Sequence, residues 1–270
     1  MQSKGFISGE DLALLLKPGA TRIFTKNVFM GCSAKDLMGL NLNTIVLGAS
    51  GAGKSFCYVT PNIRSCKTSV VILDRDGEYF NRDAAFLEEN GYKIVKVDVD
   101  QDDVGSLDFS TIGDSLTAVF LVVMGYDKAS KVRDVYDRVF NTFVLSRTVP
   151  YEYHVHFIFE EFANYSVPDN FIDILAQLKD KNASASIILQ SLIQLKETKN
   201  SMSMSGVIRQ CDALLYLGGH ELLTTQILSN IVSERGGFGM VFDDIERIQP
   251  NEALLCLKGM PPCIDEKYKP

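Results

Sequence analysis

The chain has 270 residues, 46% of them hydrophobic and 23% charged, with a formal net charge of −7. That size and balance suit one large α/β domain with a substantial core, and the acidic charge argues against a broad non-specific nucleic-acid surface. Six cysteines (Cys32, Cys57, Cys66, Cys211, Cys256, Cys263) show neither a C-x-x-C pair nor a metal spacing, no apolar run reaches the roughly 18 residues that cross a bilayer, and the N-terminus carries no signal-peptide pattern, so a soluble chain with reduced core cysteines is expected.

Residues 1–40 are weakly patterned: Gly9 to Leu16 reads as a short helix and Thr21 to Thr25 as a short strand, both expected in a flap over a sheet edge. Asn43 to Leu47 is a short β-branched apolar run, read as a buried strand. Gly48, Ala49, Ser50, Gly51, Ala52, Gly53, Lys54 and Ser55 follow at once and match G-x-x-x-x-G-K-[ST], and Phe56 to Val59 can open a helix. Strand, glycine loop and helix form the context in which that match carries weight. Gly48, Gly51 and Gly53 are expected to take backbone angles closed to other residues, so that successive N–H groups turn inward around phosphate oxygens. The helix adds the positive end of its dipole. Lys54 is then expected at the β- and γ-phosphates, and Ser55 on Mg²⁺ through its hydroxyl. A nucleotide site is predicted.

Ser69 to Leu73 is a second buried strand, ending in Asp74-Arg75-Asp76-Gly77-Glu78. Charges there either face the ligand crevice at the carboxyl ends of an α/β sheet or serve as acids at a helix N-terminus. Asp83 to Asn90 reads as a helix closed by Asn90-Gly91, Lys93 to Asp98 as a third strand, and 99–114 as a polar, turn-rich junction. Ala118 to Val123 is a fully apolar strand, and Lys131 to Ser146 carries a helical stripe at Val132, Val135, Tyr136, Val139, Phe140 and Phe143. Strands at His156 to Phe159, Ala185 to Leu189, Ala213 to Leu217 and Ala253 to Leu257 alternate with helices at Phe171 to Leu178 and Leu222 to Val232. The Glu234-Arg235-Gly236-Gly237 stretch reads as a turn. The predicted class is therefore α/β, with a mostly parallel sheet covered by helices on both faces, in one domain over 1–270.

Phe157-Ile158-Phe159-Glu160-Glu161 has the form of a second nucleotide motif, an apolar strand ending in two acids. Glu160 takes the place that holds the Mg²⁺ shell, and Glu161 the place that orients or deprotonates the attacking water. Aspartate is usual at the first place, and the extra methylene of Glu160 moves its carboxylate outward by about one bond. Gln190, at the end of its strand, could contact the γ-phosphate or the water; a plain surface glutamine is the alternative. His154 and His156 share one strand face without a third metal ligand and read as structural. Lys179 and Lys181 read as solvated, with a place at a subunit boundary as the alternative.

Several segments together resemble the TraG/TraD type of coupling protein, the ATPases of conjugation and type IV secretion. They are Asn43 to Ser55, Asp74 to Glu78, Glu88 to Tyr92, Glu161-Phe162-Ala163-Asn164, Ser184 to Ser191, Cys211-Asp212, Leu217-Gly218-Gly219 and Pro250 to Pro262. The likeness runs from about Arg22 to Tyr268. It implies a P-loop, RecA-like motor domain that binds ATP and Mg²⁺ and self-associates into a hexameric ring with ATP at subunit boundaries. It also implies single-stranded DNA or protein cargo passed to type IV secretion channel components, and a cytoplasmic place at the inner face of the cell membrane. The family's membrane anchor and all-α domain are not matched; 99–113 stands where the latter is inserted, with Thr111 to Asp114 as the re-entry point. The family's trans-acting arginine, eleven residues before the glutamine, corresponds to Lys179, a point charge without the guanidinium fork. Low turnover is expected. The alternative reading is a nucleotide-binding assembly module with weak or no hydrolysis.

Overall fold

The computed structural model describes residues 6–16, 22–32, 39–65, 67–102, 112–125, 129–195, 203–219, 221–235 and 242–270, without the side chains of 129, 130, 142 and 143. Cys66, Thr111, the Gly236-Gly237 turn, the Phe143 side chain and most of the 99–113 junction lie outside those residues. The chain divides into two compact units, one of Met1–Asn62, Leu189–Gln194 and Cys211–Pro270, the other of Ile63–Ile188 and Leu195–Gln210.

In the first unit, strands β1 (Ile7–Ser8), β4 (Thr44–Leu47), β10 (Ala213–Tyr216), β11 (Glu252–Leu257) and β12 (Cys263–Glu266) stand in the order β1-β12-β11-β10-β4. The β10–β4 and β1–β12 pairs are parallel, whereas β10–β11 and β11–β12 are antiparallel. A separate hairpin joins β2 (Arg22–Ile23) to β3 (Phe29–Met30). β4 and β10 are buried at every residue, which is why each reads as an unbroken apolar run. The helix expected at Gly9 to Leu16 forms at the sheet edge, preceded by a strand that the sequence reading did not give. β1 joins the sheet as a strand and α1 (Gly9–Leu15) follows it directly, its N-terminus capped by the Ser8 hydroxyl, which accepts from the Asp11 N–H at 3.1 Å. Four elements of this unit escaped the sequence reading, β1, β3, α8 and β12. β12 follows Pro261-Pro262, so Ala253–Leu257 is not the last strand, and α8 (Phe242–Glu246) is too short to show a stripe.

The second unit holds β5 (Ser69–Arg75), β6 (Lys93–Asp98), β7 (Thr117–Val123), β8 (Val155–Phe159) and β9 (Ala183–Leu189, whose last residue belongs to the first unit) in the order β9-β8-β5-β7-β6, all parallel. Its helices are α3 (Glu78–Glu89), α4 (Ala129–Phe140), α5 (Phe171–Leu178) and α6 (Met204–Arg209). α3 starts five residues before the predicted Asp83, because Asp74 supplies the missing start signal: its carboxylate accepts the Tyr79 and Phe80 N–H groups at 2.9 and 2.7 Å. α5 has the predicted bounds. α4 passes into a π-helical turn over Asn141–Leu145. An aromatic cluster fills the space between α4, β8 and α5: Phe140, Phe157, Phe159 and Phe171 meet at centroid separations of 5.2–6.2 Å, at tilted or edge-on angles. His156 of β8 bonds across to Ser186 of β9 at 2.7 Å, and His154, just before β8, to Ser184 at 2.8 Å and to Asn182, just before β9, at 3.1 Å. No helix among the described residues is long and apolar enough to cross a membrane.

Candidate functional site

The Gly48–Ser55 loop leaves β4 in the first unit. Gly51 and Gly53 have φ of +78° and +93°, the left-handed region where a side chain is strained. Gly48 is needed for a different reason than the predicted one, since its φ is not positive. A Cβ there would stand 2.9 Å from the Ala52 Cβ and 3.3 Å from the Leu217 Cβ, so the loop folds back too closely for a side chain. Its N–H donates to Leu189 O at 3.2 Å, and the Ala49 N–H donates to Gly218 O at 3.0 Å. Gly219, with φ +146°, faces the same residue: a Cβ on it would come 2.9 Å from the Ala49 N. The Leu217-Gly218-Gly219 segment thus forms the wall behind the loop.

Beyond Gly53 the chain opens with a π-helical stretch, Lys54–Val59, and continues as α2 (Thr60–Arg64). Wide turns of this kind are rare and concentrate at functional sites. Lys54 Nζ donates to Gly48 O at 2.6 Å and Ala49 O at 3.0 Å, which holds a cation over the loop, and Ser55 is exposed. A second cation braces the loop from β12's far end: Lys267 Nζ donates to Ala52 O at 3.1 Å and to Pro250 O at 2.6 Å, and burial lowers its pKa. Two left-handed glycines, a loop too tight for Cβ atoms and a tethered ammonium are a donor set that fits the phosphates of a nucleotide.

Gln190 follows Leu189, the acceptor of the Gly48 N–H, so the first unit brings it to the start of the loop. Gln190 is exposed, and its backbone N–H donates to Gln194 Oε1 at 2.7 Å. Next to it the Ser191 hydroxyl donates to Glu221 at 3.1 Å, and Glu221 caps α7 (Leu222–Glu234) by accepting the Leu223 and Thr224 N–H groups. The Thr224 hydroxyl, with Ser191 after it, draws the Glu221 pKa down.

Glu160 and Glu161 lie in the second unit, just past the end of β8. Phe159 before them and Phe162 after them are both buried, with ring centroids 5.9 Å apart, and each also meets Phe171 at 5.2 and 5.4 Å. The two rings pin the chain on either side and force the acids into a turn, in which Glu161 takes φ +49°. A non-glycine residue at such an angle stores strain, which persists where surrounding packing dictates it. Glu160 is 8% exposed and its carboxylate accepts the hydroxyl of Tyr79. Glu161 accepts from Arg75 Nη1 at 3.1 Å and from Asn164 Nδ2 at 3.0 Å. Asn164 sits three residues on, at the end of a short 3₁₀ turn over Phe162–Asn164, which explains the chemistry of the Glu161-Phe162-Ala163-Asn164 segment. Arg75 and Tyr79 both come from the neighbouring strand and its following helix, because β5 pairs in parallel with β8. Sequence reasoning named the Asp74–Glu78 run but not Arg75 or Tyr79 as partners of the acids; their position at and just past the end of the adjacent strand was the available signal.

Asp74 is fully buried and burial raises its pKa, against the pull of its two backbone N–H donors. The reading of Asp74 as a helix N-terminal acid therefore holds, and Glu78 lies in the first turn of α3. Lys179 is exposed, at the end of α5. Lys181 is not solvated as expected: its ammonium donates to Arg147 O.

Two family models match the chain, one described as type IV secretory system conjugative DNA transfer over residues 23–109, the other as the TraM recognition site of TraD and TraG over residues 154–236. No protein of curated function matches. Among solved structures, the chain resembles the plasmid coupling protein TrwB in complex with a non-hydrolysable ATP analogue, at 13% identity over 98% of this chain and 93% of that one, with a TM-score of 0.71. TrwB in complex with ADP and Mg²⁺ gives a TM-score of 0.70 at the same identity, over 98% and 92% of the two chains. The genome-packaging NTPase of Sulfolobus turreted icosahedral virus 2, in complex with ATP-γ-S, matches at 14% identity over 86% of this chain and all of that one, with a TM-score of 0.51.

Proposed function

We propose that this chain, which belongs to the TraG/TraD type of coupling protein, is the ATP-binding motor domain of a type IV secretion or conjugation machine and uses ATP hydrolysis to move DNA or protein to a membrane channel. The observation that carries the reading is the Gly48–Ser55 loop, with its left-handed Gly51 and Gly53 and its tethered Lys54. When bound, ATP with Mg²⁺ supplies a transferable γ-phosphoryl group whose charge the metal offsets. Lys54 and the N–H groups of the Gly48–Ser55 loop other than those of Gly48, Ala49 and Ala52, which donate to Leu189 O, Gly218 O and Ala49 O, would hold the phosphates, and Ser55 and Glu160 would hold the metal or its water shell. Glu161 is assigned the proton of the attacking water, and Gln190 the reading of the γ-phosphate. Lys179 is assigned to a neighbouring subunit's nucleotide in a ring, with 1–270 acting as one RecA-like nucleotide-binding domain. Channel components, and cargo of single-stranded DNA or protein, are the partners of that ring, at the inner face of the membrane.

A nucleotide-binding assembly module with weak hydrolysis is the second reading. It is favoured by Lys179, which lacks a guanidinium fork, and by Glu161, whose two carboxylate oxygens are engaged by Arg75 and Asn164. Steady-state phosphate release with and without single-stranded DNA, for the wild type and Lys54→Ala, separates the two. A motor shows DNA-stimulated release that Lys54→Ala abolishes. A module binds Mg·ATP, loses that affinity in Lys54→Ala, and releases little phosphate under either condition. Unchanged affinity in Lys54→Ala removes the nucleotide assignment altogether.

A further inference from the structure

We propose that Tyr79 is a positioning residue for the acid pair: its hydroxyl fixes the direction of the Glu160 carboxylate. The inference rests on the nucleotide reading, in which Glu160 serves the metal, but its geometry lies wholly within the second unit.

Tyr79 is the second residue of α3, and every part of it is held. Its N–H donates to Asp74 Oδ1 at 2.9 Å, and the next N–H, of Phe80, donates to Asp74 Oδ2 at 2.7 Å. Asp74 is itself fully buried near the end of β5, so the first turn of α3 is tied to the sheet through one carboxylate. The Arg82 guanidinium lies 4.8 Å from the Tyr79 ring centroid and covers one face of the ring. Arg82 is fixed in turn by Asp83, at 2.8 Å between Arg82 Nη2 and Asp83 Oδ2, with the Asp83 side chain fully buried. Only 5% of Tyr79 is exposed. Its hydroxyl is therefore a fixed point, and it donates to Glu160 Oε1.

A glutamate needs such a point more than an aspartate does. It has one more rotatable bond between backbone and carboxylate, and orienting a long side chain costs conformational entropy that a fixed donor recovers. A hydrogen bond to an ionised carboxylate is also among the stronger ones, and it selects one orientation of the group. Arg75 holds the neighbouring Glu161 from the same turn, so both acids take their direction from the segment that joins β5 to α3. A purely structural role for the Tyr79 hydroxyl, satisfying a buried carboxylate, would look the same in a stability measurement. A metal-dependent readout separates the two.

The test is a double-mutant cycle of Tyr79→Phe and Glu160→Asp, read by calorimetry as affinity for a non-hydrolysable ATP analogue across a Mg²⁺ titration and in EDTA. Outer partners of a metal site are worth about 10–100-fold in metal affinity. Tyr79→Phe should therefore raise the Mg²⁺ half-saturation by about tenfold or more, while affinity in EDTA stays within about twofold. In the Glu160→Asp background the shorter carboxylate no longer reaches the hydroxyl, and the same substitution should change the half-saturation by less than about twofold. An equal effect of Tyr79→Phe in both backgrounds overturns the proposal, as does a lowered Tm with an unchanged Mg²⁺ titration. A wild type that binds the analogue with a Mg²⁺-dependent gain, but whose gain Tyr79→Phe leaves intact, overturns the positioning role alone. A wild type without affinity for the analogue overturns the nucleotide reading and this inference with it.

Discussion

Replacing Gly219 and Gly218 by alanine, one at a time, separates two things a glycine can do behind a phosphate loop. Both have positive φ, +146° and +97°, so either alanine forces an L side chain into a backbone angle it rarely adopts, at about 1–3 kcal/mol. The surroundings differ. A Cβ on Gly218 meets nothing within 4 Å, whereas one on Gly219 comes 2.9 Å from both the N and the Cβ of Ala49. Backbone at that distance cannot swing away like a flexible side chain, so Gly219→Ala must move Ala49 and with it the start of the loop. With an unfolding entropy of about 2.1 cal/mol/K per residue, a cost of about 2 kcal/mol lowers the Tm of a chain this long by about 4 °C, and both variants should show a loss of that order. Nucleotide affinity should divide them. A loop N–H pulled off a phosphate forfeits a charge-assisted hydrogen bond worth about 1.5–3 kcal/mol, or about 10–100-fold in Kd. Gly219→Ala should show that loss in calorimetry with ADP and Mg²⁺, and Gly218→Ala should stay within about threefold of the wild type. Equal losses of affinity in the two variants would refute the reasoning, because the close approach to Ala49 would then be irrelevant.

Lys179→Arg should raise phosphate release, by up to about a thousandfold if the lysine stands where an arginine finger would, and only at protein concentrations where subunits associate; a gain that is independent of concentration contradicts action across a boundary. Glu160→Asp on its own should not restore turnover, since the shorter carboxylate loses the Tyr79 hydroxyl, so a faster single variant would mean that the bond is dispensable. The buried thiols predict alkaline lability: burial pushes Cys211, Cys256 and Cys263 up to about 12 from an ordinary 9.0. Above about pH 9 the unfolded chain loses those protons while the folded chain keeps them, so their contribution is intact below pH 9 and is lost as pH rises toward 12. Tm measured from pH 8 to 11 should fall, and replacing all three by alanine or valine should flatten that slope; an unchanged slope assigns the lability elsewhere. Arg75→Gln should leave Tm within about 1 °C, because the Arg75–Glu161 pair is partly exposed and such pairs contribute little, yet it should alter phosphate release by freeing one Glu161 oxygen. Unaltered release would limit Arg75 to a surface contact.

Local chemistry alone decided much of this protein. The runs at Ile45–Leu47, Ala118–Val123, Phe157–Phe159 and Ile187–Leu189 are apolar on both faces because both faces are buried, and that shows in the residues themselves. The phosphate loop and the acid pair were legible for a similar reason: a strand, a glycine turn and a lysine, or a strand and two acids, are contiguous in the chain. α3 was misplaced because its start signal is Asp74, several residues upstream, which acts through its side chain rather than through periodicity. β12 and β1 were missed because each is short: β12 is recognised as a strand only through its pairing with β11 and β1, and β1 pairs with residues some 250 positions away. Gly48 was given the wrong reason, since its close approaches, to Ala52 across the folded-back loop and to Leu217, depend on how the loop closes rather than on Gly48's own backbone angles. The partners of the acids belong to the same class. Arg75 and Tyr79 meet Glu161 and Glu160 only because β5 lies beside β8 in parallel, and strand order is set by packing across the whole sheet rather than by any segment's own preferences.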